Sequence, residues 1–498
     1  MQPDETADTN RPGTNLHGLW VCTAAVLCSL LTPGAGHIVI RANTRRWSVI
    51  VAAASSLVAT AVLLWVITTS HSSGSLAALA AGIVADRVRF LAVAAALIVL
   101  AVTRLWSAAE VAWLARPLNS VWRTIVATTA ALTLVIVGVT PLVVAAGYVW
   151  RTDRAVERVF GSGDAQTAQP GVLPPTTDQE TDSLPNSSST TSTTMPPFPG
   201  TDRVNVLLLG GDAGKGRWSL RTDSMILVSI DPETGDTAMI SVPRNLTMLP
   251  FPPGTALAEQ FPHGFTDLAN AVYPYVNARP ALAGGVADAG AQAIKLGIAQ
   301  LLGVPVQYYV LVDMGGFIDV VDALGGIDVT ITKRVPAPGN PSEAKHNVPQ
   351  WFEKGIQHLD GTLALSYARS RHADDDYQRM GRQRCVLAGI AAAATPKALA
   401  TGLGSLVDAF GASVRTDIPR ERLPEFVQLI ERYAAAGGQD SVRTLLLTPP
   451  VIIPNLNNWD AAHVRELVKT LLTEPSALPT IGGLPPLGDQ LTAECTVS

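Results

Sequence analysis

Lysine is scarce in this 498-residue chain, seven against 29 arginines, so its positive groups are almost all guanidiniums. Charge of either sign is thin, at 15% of residues with a net of −5, which argues against a general nucleic-acid binder. The first residues lack the basic segment and cleavage site of a removable signal peptide. Cysteine is limited to four positions. Cys22 and Cys28 lie in an apolar run, where they act as small hydrophobes. For Cys385 and Cys495 two readings are open: a bridge, if their compartment is oxidising, or two separate buried thiols.

What is abundant is apolar sequence, 47% of the chain, and it is concentrated in the first 150 residues. Four runs stand out, roughly Leu19 to Ile40, Val49 to Thr69, Phe90 to Trp106 and Ile125 to Trp150. A membrane helix needs about 20 apolar residues. The second and fourth runs meet that length, the first is interrupted by "TPGAGH", and the third is short; four spans are expected, with three as the alternative. Arg41, Arg45, Arg46, Arg116 and Arg123 fall in the loops after the first and third runs, which predicts that those loops are cytoplasmic and that everything after Trp150 is outside. The runs are rich in small residues that permit close packing. They are read as free of the Asp, Glu, Lys and Arg that mark an ion path, which favours an anchor over a transporter.

Five segments are expected: an N-terminal tail over 1–18, a membrane region over 19–150, a linker over 151–202, a core over 203–394, and a helical extension of the same domain over 395–498. The linker is rich in Pro, Ser, Thr and Gly ("NSSSTTSTTMPPFPG") and cannot bury enough apolar surface to fold. Beyond it, β-rich runs ("RVNVLLLG", "DSMILVSID", "TAMISVPR", "VQYYVLVD", "GIDVTITKR") alternate with helical patterns ("VADAGAQAIKLGIAQLL", "MGGFIDVVDAL", "RQRCVLAGIAAAA"). That alternation predicts an α/β domain whose sheet is covered by helices on both faces.

The first candidate site is "LLLGGDAGKGRWSLRTDS", Leu207 to Ser224. It resembles a nucleotide phosphate loop and fails as one: only three residues stand between Gly210 and Gly214, and Gly216 occupies the place of the Mg²⁺-binding hydroxyl. What remains is an apolar strand leading to two carboxylates, Asp212 and Asp223, which either cap turns or hold a hard cation.

The second is "HLDGTLALSYARSRHADDDYQRMGRQR". On an extended segment, Tyr367, Arg369 and Arg371 would share a face. Asp374, Asp375 and Asp376 suit a helix start, and Arg379, Arg382 and Gln383 would share a face of the helix that follows. Converging guanidiniums fit two-pronged recognition of phosphate; the competing reading is a solvated face in which the acids neutralise the arginines. His372 has no metal-ligand spacing around it. The region lacks interleaved stacking aromatics, and with an external position this disfavours nucleic acid as a partner.

Together "RTDSMILVSID", "ISVPRN", "YYVLVDMGGFIDVVDALGGIDV", "HLDGTLALSYARSRH" and "DYQRMGRQ" resemble the LytR-CpsA-Psr family of cell-wall glycopolymer ligases, over about Val204 to Ala394. The resemblance implies an αβα sandwich with an apolar tunnel for a polyprenyl chain and the pyrophosphate head at its mouth. It further implies that Asp212 and Asp223 hold Mg²⁺ (or Mn²⁺). Arg221, Arg244, Arg369, Arg371 and Arg379 match the family's phosphate-binding arginines, while Asp376, Arg382 and Gln383 match its remaining head-group positions. Asn245 departs from the pattern, standing where an acid usually follows Pro-Arg.

The implied function is a membrane-anchored phosphotransferase that moves a glycopolymer from a polyprenyl-pyrophosphate carrier to a hydroxyl of peptidoglycan. Asp223 and Asp376 are candidate bases. Ala- and Arg-rich, Lys-poor usage suggests a high-GC Gram-positive envelope and arabinogalactan as the polymer, ahead of teichoic acid or capsule. The alternatives are a polyprenyl-pyrophosphate hydrolase and a lipid-linked glycan binding or regulatory module; a transcriptional regulator would need a DNA-reading motif, and none is present.

Overall fold

The computed structural model describes residues 23–32, 35–39, 46–69, 76–114, 121–160, 198, 201–212, 220–337, 348–370, 376–394, 414–449, 455–457, 459–478 and 495. The chain divides into two compact units, 1–72 with 82–153, and 154–498 with 73–81. Of the expected 151–202 linker, 161–197, 199 and 200 lie outside the described residues.

In the first unit, α1 (Arg46–Thr69), α2 (Arg87–Leu114) and α3 (Val121–Phe160) contain segments of 21, 28 and 27 residues with mean hydropathies of 2.4, 2.1 and 2.2. Among the described residues these three are long and apolar enough to cross a membrane. The first sequence run is helical over 23–31 and again over Ala35–Val39, and its remainder lies outside the described residues. Helix α3 continues to Phe160, into the stretch expected to be linker. Small side chains such as Ala94, Ala101, Ser107 and Ala108 make up most of the buried positions on α2, with Phe90, Thr103 and Val111, consistent with close helix packing.

The expectation of charge-free runs does not hold. Arg104 lies within the third run, and Glu110 follows in the same helix. Glu110 meets the ring of His37 at 3.3 Å with both side chains buried. Partnering of this kind is what makes an ionisable group tolerable in an apolar surrounding.

The second unit is built on a six-stranded mixed sheet. Among the described residues its strands are β1 (Val204–Gly211), β2 (Thr222–Ile230), β3 (Thr237–Ser241), β4 (Tyr308–Asp313), β5 (Ile327–Ile331), β6 (Val335–Pro336), β7 (Trp351–Phe352), β8 (Gly355–Leu359), β9 (Val414–Thr416) and β10 (Arg443–Leu446). The main sheet runs β10-β3-β2-β1-β4-β9, with β5–β8 and β6–β7 as separate pairs. Strands β1 and β4, and β3 and β10, are parallel; the other neighbours are antiparallel. β1 reads as a continuous apolar run because both faces of the sheet are covered.

The covering helices are α4 (Val272–Asn277), α5 (Ala289–Leu302), α6 (Met314–Ala323), α7 (Gly361–Arg369), α8 (Asp376–Ala393), α9 (Leu423–Ala435) and α10 (Ala461–Thr473). Four of them start on an aspartate whose carboxylate accepts a backbone N–H: Asp288 for α5, Asp313 for α6, Asp360 for α7 and Asp460 for α10. Helix α5 ends on Gly303, left-handed at φ 72°. One face of the sheet packs on α4, α5 and α10 through a core that includes Leu207, Leu227, Ile240, Val272, Ile294 and Val468. On the opposite side, α7 and α8 pack on the β5–β8 pair through Ile327, Val329, Leu359, Tyr367 and Val386.

One expectation about the segment after residue 394 needs adjustment. The segment is not only helical, because β9 and β10 from it form both edges of the sheet. These strands have three and four residues, too short for a period to register. It is also tied back covalently: Cys385 of α8 is bonded to Cys495, 110 residues further along, as the bridge reading expected. At the other end of the domain, Phe198, which falls within the expected linker, is buried against Tyr308 and Phe426.

A buried ion pair joins α5 to the sheet. Lys295 Nζ lies 2.5 Å from Asp417 Oδ2 and also donates to the Gln307 carbonyl, while the backbone N–H of Tyr309 donates to Asp417 Oδ1. Burial pushes the Lys295 pKa down and that of Asp417 up, each opposed by its partner.

Candidate active site

The site begins where β1 meets β2. Gly210 pairs with Ser224 and Gly211 with Thr222, which leaves Asp223 as the extra residue of a bulge. A bulge kinks its strand and re-aims the side chain it carries. The two glycines permit the close approach: a Cβ at Gly211 would stand 2.8 Å from Leu220 Cδ1, and one at Gly210 3.0 Å from Ser224 Cβ. The hairpin is closed by the backbone N–H of Asp212 donating to the Arg221 carbonyl at 2.8 Å.

Around Asp223 the side chains form one network. Its Oδ1 accepts from Arg244 Nη1 and from Asn270 Nδ2, both at 2.9 Å, and its backbone carbonyl accepts from Arg379 Nη1 at 3.1 Å. Asp376, the first residue of α8, accepts from both Nε and Nη2 of Arg379 and from Arg244 Nε. Arg369, the last residue of α7, reaches to 3.8 Å from Asp212 Oδ1 and donates to the sulfur of Met314. Burial works against the charge on Arg244, and Asp223 and Asp376 outweigh it, raising its pKa. Burial also opposes ionisation of Asp376, but Arg379 and Arg244 hold its carboxyl below the usual range.

This polar cluster forms one end of a cavity of about 950 Å³. Asp212, Arg221, Asp223, Arg244, Arg369, Arg379 and Gln383 line it together with Asn270, Ser224 and Asp313, and the rest of its wall is apolar, including Leu208, Ile226, Val310, Phe317, Leu387 and Ile390. A pocket with an apolar body and a few convergent polar groups is the usual form of a small-molecule site. Here the polar groups are guanidiniums held in place by carboxylates, an arrangement that accepts an anionic head group on an apolar tail.

The structure thus joins the two sequence motifs, with corrections. The segment carrying Tyr367 and Arg369 is helical, not extended: Asp360 caps it, and Tyr367 is buried against Phe352. Arg382 does not share the cavity face of Arg379 and Gln383; it is buried and donates to the Ser370 carbonyl, holding the turn after α7. Asp376 reaches the site through its arginine bonds. Asn245 is absent from the cavity lining. Arg371, His372, Asp374 and Asp375 lie outside the described residues. Asn270 was missed, although a lone amide in the apolar stretch "LANAVY" was a visible signal.

The donor set suits a hard cation. Three carboxylates line the cavity; Asp313 caps α6 by accepting from the Gly316 N–H, which leaves Asp212 and Asp223, and among the described residues no three His, Cys, Asp or Glu side chains converge. Mg²⁺ is commonly bound by one or two carboxylates together with substrate phosphates, whereas a structural Zn²⁺ needs a fuller set of N and S ligands.

The fold and the site define a domain with an arginine- and carboxylate-bearing, largely apolar cavity, in a chain that carries three membrane-length helices among the described residues. The chain belongs to the LytR-CpsA-Psr family, whose model matches residues 175–466. It is 31% identical over 222 residues to the Bacillus cereus polyisoprenyl-teichoic acid–peptidoglycan teichoic acid transferase TagU, covering 44% of this chain and 62% of that protein. The Oceanobacillus iheyensis TagU is 29% identical over 248 residues, covering 49% of this chain and 66% of that one. The chain therefore matches less than two thirds of the length of these relatives. Among solved structures, B. subtilis TagV aligns at 26% identity over 55% of this chain and 96% of its own, with a TM-score of 0.39.

Proposed function

We propose that this protein is a membrane-anchored phosphotransferase that moves a glycopolymer from a polyprenyl-pyrophosphate carrier to a hydroxyl of peptidoglycan. The observation that carries this reading is the junction of guanidiniums and carboxylates with a 950 Å³ apolar cavity. The polyprenyl chain occupies the apolar part, and its pyrophosphate oxygens meet Arg244, Arg369 and Arg379, with Arg221 and Gln383 at the same end. Arg371 is assigned to the same grip by its place in the motif.

Asp212 and Asp223 would hold Mg²⁺, which when bound neutralises pyrophosphate oxygens. The arginines stabilise charge that builds on those oxygens as the bridge breaks. The attacking hydroxyl loses its proton to Asp223. Asp376 is the poorer candidate, because Asp223 lines the cavity whereas Asp376, bonded to Arg379 and Arg244, does not. The family and the names of the TagU relatives support glycopolymer transfer in general. Arabinogalactan is the proposed polymer, on the strength of the Arg-rich, Lys-poor composition. The domain works outside the cytoplasm, a reading supported by the arginine-bearing loops of the membrane region and by the Cys385–Cys495 bond.

Asp223→Asn keeps the shape of the site and removes a ligand charge. Turnover should fall at least 10²- to 10³-fold, the scale for loss of one electrostatic contributor, while polyprenyl lipid still co-purifies. The assay offers a lipid-pyrophosphoryl glycan with and without peptidoglycan and counts phosphodiester product apart from hydrolysis. Ligation at the wild-type rate in Asp223→Asn defeats the mechanism. Product formed only by water favours the hydrolase, and a faster reaction with teichoic acid than with arabinogalactan replaces the polymer.

A further inference from the structure

The β5–β8 pair, continued by β6–β7, forms a two-stranded ribbon that contributes no residue to the cavity lining. Its inner face is buried: Ile327, Val329, Ile331, Val335, Phe352 and Leu359 pack with α7 and α8. Side chains alternate across a strand, so Trp351, next to Phe352, and Ile356, opposite Thr330, turn the other way. They are 41% and 78% exposed. Beyond the membrane region, Ile430 is the one other exposed large apolar side chain among the described residues, so two of the three stand on this ribbon. Scattered apolar residues on a surface are ordinary, but a pair on one face of one packed element is not. Between them, where each strand of the ribbon passes from one pairing to the next, Lys333, Arg334 and Lys354 are exposed against a single acid, Glu353. Arg334 lies over the indole of Trp351, 4.2 Å from the ring centre, and its Nε meets Glu353 at 2.9 Å. Farther along the same face, Asp328 is paired with His358.

We infer that this face of the ribbon docks on the surface of an anionic phospholipid bilayer. An indole and an aliphatic side chain set among lysine and arginine are the composition of a membrane-interface anchor: the apolar groups enter the headgroup layer and the long cationic chains reach the phosphates. The excess of cations at the junction selects anionic headgroups. The chain also supplies the bilayer, through its three helices of membrane-crossing length. Two apolar side chains bury too little to hold a free protein on a membrane, but a tethered domain meets the surface at high effective concentration and needs only to be oriented. Helix α8 links the docked face to the cavity: a Cβ at its Gly389 would stand 3.0 Å from the Asp328 carbonyl of β5, and its Leu387 and Ile390 line the cavity. Docking therefore holds the apolar cavity one helix from the leaflet. It is independent of the reaction that the cavity performs.

The test uses the full chain in nanodiscs, with Cys22→Ser and Cys28→Ser to clear the thiols outside the disulfide. A nitrobenzoxadiazole fluorophore is attached through Ile356→Cys or, as the control, through Ile430→Cys on α9, the exposed apolar position away from the ribbon. The discs contain phosphatidylcholine alone or mixed with phosphatidylglycerol, each with and without lipids that carry a nitroxide near the headgroup. The expected result is a blue shift and nitroxide quenching at position 356, several-fold stronger in the anionic discs, and neither at position 430. Lys354→Glu in the chain labelled at 356 should lower the ratio of docked to undocked domain roughly fivefold or more. Quenching at both positions alike, or at neither, overturns the inference, and so does quenching at 356 that is no stronger with anionic lipid. A blue shift at 356 that is already present in detergent and is not quenched by nitroxide lipid also overturns it, in favour of a second copy of the chain on this face. None of these readouts involves turnover, so their failure leaves the ligase reading standing.

Discussion

The two faces of the central sheet are made of the same kinds of residue and end differently. Leu207, Leu227 and Ile240 face a filled core, whereas Leu208, Ile226 and Val310, one step along the same strands or on the next, face a cavity. The difference lies in the covering layer. On the filled side the helix α5 presents glycine at its contacts: a Cβ at Gly297 would come within 2.6 Å of Leu249 Cδ2, and one at Gly290 within 2.6 Å of the Tyr273 carbonyl. On the other side α8 makes a close approach to β5, where a Cβ at Gly389 would stand 3.0 Å from the Asp328 carbonyl, and the space between helix and sheet stays open. Apolar character therefore specifies burial but not whether the protein itself or a ligand supplies the covering atoms.

Breaking the contrast on the filled side should cost the most. Lys295→Met strands the buried Asp417 without its cation, an expected loss of about 3–5 kcal/mol. Replacing Asp417 by Asn in the same chain should recover part of it; denaturant unfolding of single and double variants checks both. Leu227→Ala, fully buried in the packed core, should cost about 2–5 kcal/mol. Its counterpart Val310→Phe adds bulk to the cavity wall and should change stability by less than roughly 1.5 kcal/mol, yet reduce the polyprenyl lipid that co-purifies. Equal stability losses for these two would erase the distinction between the faces.

The smallest effect concerns pH. Asp376 has a depressed folded-state pKa, so its contribution to stability is present above the ordinary carboxylate value of about 3.9 and is lost as pH falls through the lower folded value. The arginine–carboxylate network should then survive mild acidification and loosen only below about pH 4, and Asp376→Asn should flatten the acid limb of the unfolding curve. An unaltered acid limb would remove Asp376 from the network.

Much of this was legible in advance. Strands β1 to β5 lie in the β-rich runs of the sequence, the helix-capping aspartates precede helical patterns, and the arginines and aspartates of the site stand out because the chain has so few charges. Other features carry no local signal. Tyr367, Arg369 and Arg371 alternate as a strand would, and the helix over the first two is decided by the Asp360 cap and burial of Tyr367. Arg379 and Arg382 are neighbours on a helix face, but the small angular step between them is enough to turn Arg382 from the cavity to Ser370. Lys295 and Asp417 are far apart in sequence, and only the fold brings them together, although a lone lysine inside an apolar helix of a lysine-poor chain was a hint.

The bulge at Asp223 has a consequence for how such a site can coexist with a stable sheet. Every other residue of β2 from Thr222 to Ile230 stands opposite a residue of β1 or β3, so its identity is constrained by a neighbour across the strand. Asp223 stands opposite none in β1, and it lies before the part of β2 that pairs with β3. The chemistry is carried by a supernumerary residue, one whose side chain answers to the cavity and not to the ladder. Substitutions there should alter what the protein does while leaving the sheet around it nearly untouched, and deletion of this one position should also remove the carboxylate from the site while the pairs Gly210–Ser224 and Gly211–Thr222 become consecutive and the bulge closes.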